Sequence, residues 1–222
     1  MSTYEIEIKS LLGTEENAKK LKGKIESRGA KLLSVNKQLN HYFVVNDQDA
    51  LREKIISYIP HDKKEVFEKI LKEGKSLSVR TRDTDGKVIF VIKASIGDDT
   101  SANGVSRLEF ESKMDMNLEE LDKLLLEVGL EYQAKWSRER EEYKIKDVNI
   151  CLDKNAGYGY LAEFEKMVSD HAEADKAKAE LLELMRELEV VELRQDRLER
   201  MFTYYNSNWR DYYGTAKVFN IE

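Results

Sequence analysis

Apolar and charged residues alternate along several short segments, which is the period of a β-strand with one buried face. A strand-like pattern covers residues 4–9, 31–45, 77–82, 87–94, 105–113, 131–146, 148–153 and 160–168. The turn dipeptide Asp85-Gly86 separates two of these segments and predicts a hairpin between them. The pattern therefore predicts about eight strands.

Two segments with helical periodicity interrupt the strands and carry recognisable end signals. Residues 14–28 begin at Thr14, which is predicted to be the N-cap, and Gly29 follows their last turn. A second helix begins after Asn117, with Glu120 at the acidic position of a capping box. Each of these helices can cover one face of a sheet.

Two longer segments with helical character stand apart from this scheme. Residues 50–75 are interrupted by the only proline, and residues 170–201 are charge-rich and precede an aromatic tail. We predict a main domain at 1–168 with a helical insertion at 47–78. Residues 169–222 are predicted to form a C-terminal helix and tail that pack on it.

Composition and charge exclude several classes of protein. The chain has 222 residues, one cysteine and a net charge of -6 from 37 basic and 43 acidic side chains. A general nucleic-acid binder has a basic excess, so we expect no duplex as a partner. No apolar run approaches the roughly 18 residues of a membrane span, and the N-terminus lacks a signal peptide's apolar stretch. We expect a soluble cytoplasmic protein, free of internal disulfides and of a membrane partner.

Charged side chains are concentrated on one face of the predicted strands. Residues i and i+2 of a strand point the same way, so Glu5, Glu7 and Lys9 share a face opposite Ile6 and Ile8. The acidic members of such faces are Glu5, Glu7, Glu109, Glu111, Asp153, Glu163 and Glu165. The basic members are Lys9, Arg80, Arg82, Lys93, Arg107, Arg138 and Arg140.

A solvated outer face explains any single charged pair, but it explains the whole set less well. The opposite faces are apolar and need a cover, which the helices at 14–28 and 117–128 can supply. The charged faces then line a closed, wet barrel, and about eight strands leave room for one small ligand. Burying so many charges for stability alone is a poor strategy. A triphosphate with a divalent cation suits both kinds of side chain, because its oxygens bind Arg and Lys and its cation binds carboxylates.

The order of these residues resembles that of a known family. Glu5-Ile6-Glu7-Ile8-Lys9 is similar to the ExExK motif of the CYTH, or triphosphate tunnel metalloenzyme, superfamily. The later charged strands follow in the family's order, so that the resemblance covers about residues 1–168. The segment Ala102-Asn103-Gly104-Val105-Ser106-Arg107 also resembles one in plant tripolyphosphatases of this family.

The resemblance implies an α+β fold, an eight-stranded antiparallel tunnel with flanking helices. It implies metal ligands at Glu5, Glu7, Asp153, Glu163 and Glu165, holding Mg²⁺ or Mn²⁺, as two ions. It implies phosphate contacts from Lys9, Arg80, Arg82, Lys93, Arg138 and Arg140, to which we add Arg107 from the same faces. Glu109 and Glu111 are expected to bind a second metal or orient the attacking water, and Lys9 is counted with them as catalytic.

Hydrolysis of an inorganic or organic triphosphate is the predicted function. The first alternative is a class IV adenylate cyclase that converts ATP to cyclic AMP and pyrophosphate, and the second is a non-catalytic polyphosphate or nucleotide binder. The sequence has no P-loop, zinc-protease or nucleophile-elbow motif. Cys151 is expected in the core and His41 to pack a strand end. We expect a small-molecule substrate and a monomer or homodimer.

Overall fold

Eight antiparallel strands close into a barrel in the computed structural model, which describes residues 4–95 and 106–222; the side chains of residues 106 and 107 are outside this description. The strands are β1 (Tyr4–Gly13), β2 (Lys31–Val44), β3 (Lys75–Thr84), β4 (Lys87–Ser95), β5 (Ser106–Lys113), β6 (Glu131–Ile145), β7 (Val148–Asn155) and β8 (Gly159–Val168). Their order around the barrel is β1-β5-β4-β3-β2-β6-β7-β8. The predicted eight-stranded α+β fold is confirmed.

Helices surround the barrel, and the first four lie at the places that the sequence pattern indicated. They are α1 (Glu15–Ser27), α2 (Gln48–Ile55), α3 (Lys64–Glu73), α4 (Leu118–Glu127), α5 (Ala174–Glu187) and α6 (Gln195–Asn208). The Thr14 side chain caps α1, and Asn117 and Glu120 form the capping box of α4, as predicted. None of the helices in the described ranges is long and apolar enough to cross a lipid bilayer.

The long helix predicted at 170–201 is two helices, α5 and α6. The chain turns at Glu189, which has a φ of 56°, a value that ends a helix. The following residues then run beside β1, where the Leu193 amide donates to the Lys9 carbonyl over 2.7 Å and the Ser10 hydroxyl to the Val191 carbonyl over 2.7 Å. Hydrogen bonds to a distant strand thus override the local helical pattern.

Apolar side chains on the outer faces of the strands form two helix-covered cores. Ile6 and Ile8 are fully buried against α1 and α5. On the opposite side, Phe90 and its neighbours pack under α2, α3 and α4, with Phe67 and Leu121 at the contact. Burying side chains of this size contributes roughly 1.5–3 kcal/mol each. The apolar faces therefore point outward to the helices, which leaves the charged faces inside.

The C-terminal segment packs against one end of the barrel. Leu198 and Tyr205 of α6 join a third apolar cluster with Trp136 of β6 and Leu161 of β8. Gly157 exchanges backbone hydrogen bonds with the tail, and a Cβ there would lie 2.7 Å from Tyr205, so only glycine fits. β8 ends at Val168, at the predicted boundary, and the division into two domains stays a prediction.

Candidate active site in the tunnel

The inner faces of the strands enclose one large charged cavity of about 870 Å³. The predicted site residues that line it are Glu5, Glu7, Lys9, Arg80, Arg82, Lys93, Glu109, Glu111, Arg138, Arg140, Glu163 and Glu165. Strand register explains this convergence, because Glu7 of β1 lies opposite Glu165 of β8 and Lys9 lies opposite Glu163. The Arg107 side chain lies outside the described residues.

Lys93 joins two carboxylates deep in the cavity. Its Nζ lies 2.5 Å from Glu5 Oε2 and 3.2 Å from Glu109 Oε1. Burial favours the neutral form of Glu5, but the charge of Lys93 outweighs it and lowers the Glu5 pKa. Burial and the charges of Glu5 and Glu111 raise the Glu109 pKa despite Lys93. The two carboxylates on one lysine therefore differ in proton affinity.

A second cluster centres on Asp153, whose side chain is fully buried. Arg140 donates to both Asp153 oxygens over 2.7 and 2.6 Å, and Arg138 donates over 2.9 Å. Arg140 also contacts Glu163. Burial opposes the charge of Glu163, but Arg140, Lys9 and Arg138 outweigh it and hold its pKa well below the usual range. Asp153 thus orients the arginine pair behind the cavity surface.

Arg80 and Arg82 of β3 are held by side chains of β2 and β5. Arg80 Nη1 donates to the Tyr42 hydroxyl over 3.0 Å, and its guanidinium carbon lies 4.5 Å from the Tyr42 ring centroid. Arg82 donates from Nε to Asn40 Oδ1 and from Nη1 to Glu111 Oε1, both over 2.9 Å. Both guanidinium groups are therefore pre-oriented along the cavity wall.

Carboxylates in the same cavity form two overlapping groups suited to a metal ion. One oxygen of each of Glu5, Glu7 and Glu165 lies within 4.8 Å of the others, and Glu163 and Glu165 make a similar group with Cys151. Burial and the charges of Glu5 and Glu163 raise the Glu165 pKa to about 7. A divalent cation would relieve this repulsion, and carboxylate oxygens are the ligands that Mg²⁺ and Mn²⁺ prefer. The donor set therefore fits such an ion.

The structure places Asp153 differently from the other predicted metal ligands. Among the described residues it belongs to neither carboxylate group, and both its oxygens accept hydrogen bonds from Arg138 and Arg140. Its position favours orientation of those arginines over direct contact with a metal. The strand pattern alone put it on the inner face without revealing how deeply it is buried.

Several residues that line the cavity were not predicted. Gln38 of β2 accepts a hydrogen bond from Arg138 Nε over 2.8 Å, and with Tyr42 it continues the two-residue period of the inner face. Leu198 and Phe202 of α6 also line the cavity, and only their tertiary contacts reveal it. Cys151 is buried as expected, but it faces the cavity opposite Glu163.

A model of the CYTH domain family matches residues 63–197, more than half of the chain. The chain belongs to the CYTH family. A candidate adenylate cyclase from Methanocaldococcus jannaschii is 29% identical to this CYTH chain over 113 residues, which cover 51% of the chain and 62% of that protein. The chain thus matches less than two thirds of that relative's length.

Solved structures share the CYTH chain's fold at low sequence identity. A Vibrio parahaemolyticus protein described as a candidate adenylate cyclase has a TM-score of 0.62 and 13% identity, with 91% of this chain and 99% of that chain covered. A Hippeastrum protein, described as a candidate adenylyl cyclase with a dominant triphosphatase activity, has a TM-score of 0.52 and 15% identity, with coverages of 90% and 95%. At these identities the likeness concerns the fold.

Proposed function

We propose that this CYTH chain hydrolyses a triphosphate inside its tunnel with the help of divalent cations. The observation that carries the proposal is that clustered carboxylates and oriented arginines line the same closed cavity. A triphosphate–metal complex needs both kinds of group at once. The metal dependence that is general in this family agrees with it.

Glu5, Glu7 and Glu165 are proposed as the principal metal ligands, with Glu163 beside them. When bound, Mg²⁺ or Mn²⁺, proposed as two ions, neutralises phosphate charge and lowers the pKa of coordinated water. The carboxylates are positioned before any ligand arrives, because β1 and β8 are paired along their whole length. Asp153 is proposed to act through Arg138 and Arg140.

The basic side chains are proposed to grip the phosphates. Arg80, Arg82, Arg138 and Arg140 present forked donors, and Lys9 and Lys93 add point charges; Arg107 stays a predicted member of this set. Preoriented cations of this kind stabilise the charge of a loose phosphoryl-transfer transition state. A substrate phosphate would replace the Glu111 partner of Arg82 and the Glu163 partner of Arg140, while Asp153 keeps its hydrogen bonds to Arg138 and Arg140.

Glu109 and Glu111 are proposed to orient the attacking water. The raised pKa of Glu109 suits a group that accepts a proton during the attack. Water then attacks the terminal phosphorus, the phosphoanhydride bond breaks, and phosphate and the corresponding diphosphate leave. Lys9, which pairs with Glu7 and Glu163, is proposed to stabilise the charge of the leaving diphosphate.

Cyclisation of a nucleoside triphosphate is the second candidate function. Tyr42, Leu198 and Phe202 belong to one apolar cluster and also line the cavity, where they offer a place for a nucleobase. The relatives from M. jannaschii and V. parahaemolyticus carry adenylate cyclase names. The triphosphatase activity named for the Hippeastrum protein supports hydrolysis as the first choice.

Incubation with tripolyphosphate, ATP or thiamine triphosphate tests these functions. Phosphate, pyrophosphate and cyclic AMP are quantified with Mg²⁺, with Mn²⁺ and with EDTA. We expect phosphate release that requires the metal and stops with EDTA. Cyclic AMP and pyrophosphate from ATP would instead establish the cyclase, and tight binding of every substrate without turnover would leave a non-catalytic binder.

A further inference from the structure

A second buried polar cluster lies outside the tunnel, where α4 covers the barrel wall. Asp122 of α4 is only 4% exposed and accepts hydrogen bonds from three directions. His41 Nδ1 and the Tyr132 hydroxyl each lie 2.6 Å from Oδ2, and the Thr81 hydroxyl lies 2.6 Å from Oδ1. The Asp122 carboxylate thereby links α4 by hydrogen bonds to three strands, β2, β3 and β6.

The charge of Asp122 is stabilised within the fold. Burial favours its neutral form, but the hydrogen bonds from His41, Thr81 and Tyr132 outweigh burial and lower its pKa. An ionised Asp122 can only accept hydrogen bonds, so His41 donates to it from Nδ1. The other ring nitrogen, Nε2, lies 2.7 Å from the Tyr213 hydroxyl, so His41 is held at both ends.

Thr81 and His41, two of the residues that donate to Asp122, are sequence neighbours of residues that bind or orient the proposed phosphate ligands. Thr81 separates Arg80 from Arg82 on β3, and its side chain points outward while theirs point into the cavity. His41 occupies the equivalent place on β2, between Asn40 and Tyr42. Those flanking residues are the ones that accept hydrogen bonds from the two arginines. Asp122 is thus hydrogen-bonded to the middle residue of two facing segments, residues 40–42 of β2 and 80–82 of β3.

We propose that Asp122 is a positioning residue which, through Thr81 and His41, holds Arg80 and Arg82 in the orientation that receives the substrate's phosphates. The inference rests on the proposed function, because it assumes that the tunnel binds a triphosphate. It assigns a role in binding to a carboxylate that faces away from the cavity. A purely structural role for Asp122 makes a different prediction: lower thermal stability with unchanged affinity in the folded protein.

Thr81→Val is the variant that separates these two roles. It keeps the branched shape that suits β3 and replaces the hydroxyl that donates to Asp122 with a methyl group. Thr81→Ser restores the hydroxyl and serves as the rescue. Tyr143→Phe is the matched control: its buried hydroxyl donates to Glu141 over 2.5 Å on the side of the barrel covered by α1, away from Asp122.

The measurement is calorimetric titration of each full-length variant with tripolyphosphate in EDTA, at a temperature where thermal melts show every variant folded. We expect Thr81→Val and Asp122→Asn to weaken binding at least tenfold, and Thr81→Ser and Tyr143→Phe to stay within threefold of wild type. If Asp122→Asn does not fold, Thr81→Val carries the test alone.

Equal affinity of Thr81→Val and wild type, with melting temperatures lowered as in Tyr143→Phe, would overturn the positioning role and leave Asp122 structural. A wild-type protein that binds no tripolyphosphate in EDTA would overturn this inference, because the arginines would then not bind the phosphates by themselves. A wild-type protein that also releases no phosphate with Mg²⁺ or Mn²⁺ would overturn the proposed function itself. The two failures are therefore distinguishable.

Discussion

The tunnel and the Asp122 cluster both bury charge, but they do so in opposite ways. Asp122 accepts three short hydrogen bonds and its pKa falls, so the folded protein satisfies it completely. In the tunnel, Glu165 lies among like charges and its pKa rises to about 7, and that of Glu109 is raised as well. In the folded protein without a ligand, the nearby positive charges do not offset the burial and repulsion of these two carboxylates.

The difference indicates which buried charges serve a ligand. A buried carboxylate with all its hydrogen bonds formed stabilises and orients its neighbours. Carboxylates that repel one another beside oriented arginines are instead typical of a site that binds a cation and an anion. The comparison predicts that substitutions in the tunnel reduce activity more than stability. Substitutions in the Asp122 cluster should reduce stability and, indirectly, affinity.

The largest effect is expected from Glu165→Gln. Loss of a metal ligand should reduce metal-dependent kcat/KM at least about 100-fold, on the order of 3 kcal/mol. Because the folded pKa is raised, ionisation of Glu165 costs stability as the pH rises from its unfolded pKa of about 4.3 to about 7, so at pH 8 without metal the variant should melt at or above the wild-type temperature. Phosphate release and thermal melts measure both.

Glu141→Gln is the control for this variant, because Glu141 lies on the outer face of β6 paired with Lys22 at 2.7 Å. It should leave turnover unchanged. Unchanged metal-dependent turnover in Glu165→Gln would remove Glu165 from the metal site.

Arg140→Lys should have the next largest effect. Lysine cannot reproduce the two-oxygen contact with Asp153, and charge-assisted hydrogen bonds contribute roughly 1.5–3 kcal/mol. We expect tripolyphosphate affinity to fall about 10- to 100-fold in titration calorimetry. Arg186→Lys, in an exposed pair with Glu183, is the control and should bind normally. Wild-type affinity in Arg140→Lys would argue against a phosphate contact there.

Asp122→Asn should lower the free energy of unfolding by about 1–3 kcal/mol at pH 7. Because the folded pKa of Asp122 is depressed, its stabilising contribution is present above its unfolded pKa of about 3.9 and is lost as the pH falls through the folded value. The gap between wild type and variant in urea unfolding should therefore shrink below pH 4. A gap that stays constant with pH would show that ionisation of Asp122 does not matter.

Tyr213→Phe should have the smallest effect in this series. It removes one hydrogen bond to His41 while the ring remains packed, 5.5 Å between centroids. A loss of about 1 kcal/mol is expected in urea unfolding, with tripolyphosphate affinity changed less than threefold. A tenfold loss of affinity would mean that the C-terminal segment takes a direct part in binding.

Strand periodicity predicted the barrel and most of its inner face, because a period of two fixes which side chains share a surface. It placed Glu7, Lys93 and Glu165 in the same cavity although they are far apart in sequence. Polar partners on β2, such as Gln38, follow the same period, and attention to uncharged side chains would have found them.

Other features depend on tertiary contacts that no local pattern encodes. Asp122 occupies an ordinary helix position in the sequence, and its three donors come from β2, β3 and β6. The break between α5 and α6 depends on hydrogen bonds to β1, and the apolar part of the cavity depends on how α6 packs. These features arise only once the barrel has closed.

A structure of the chain with Mn²⁺ and a non-hydrolysable triphosphate analogue tests the central claim most directly. Anomalous scattering should locate Mn²⁺ at roughly 2.0–2.6 Å from oxygens of Glu5, Glu7 and Glu165, with phosphates contacting Arg80 and Arg140 in the same cavity. Metal and phosphates bound together on the outer surface, with the tunnel carboxylates still in contact with the arginines, would contradict the account.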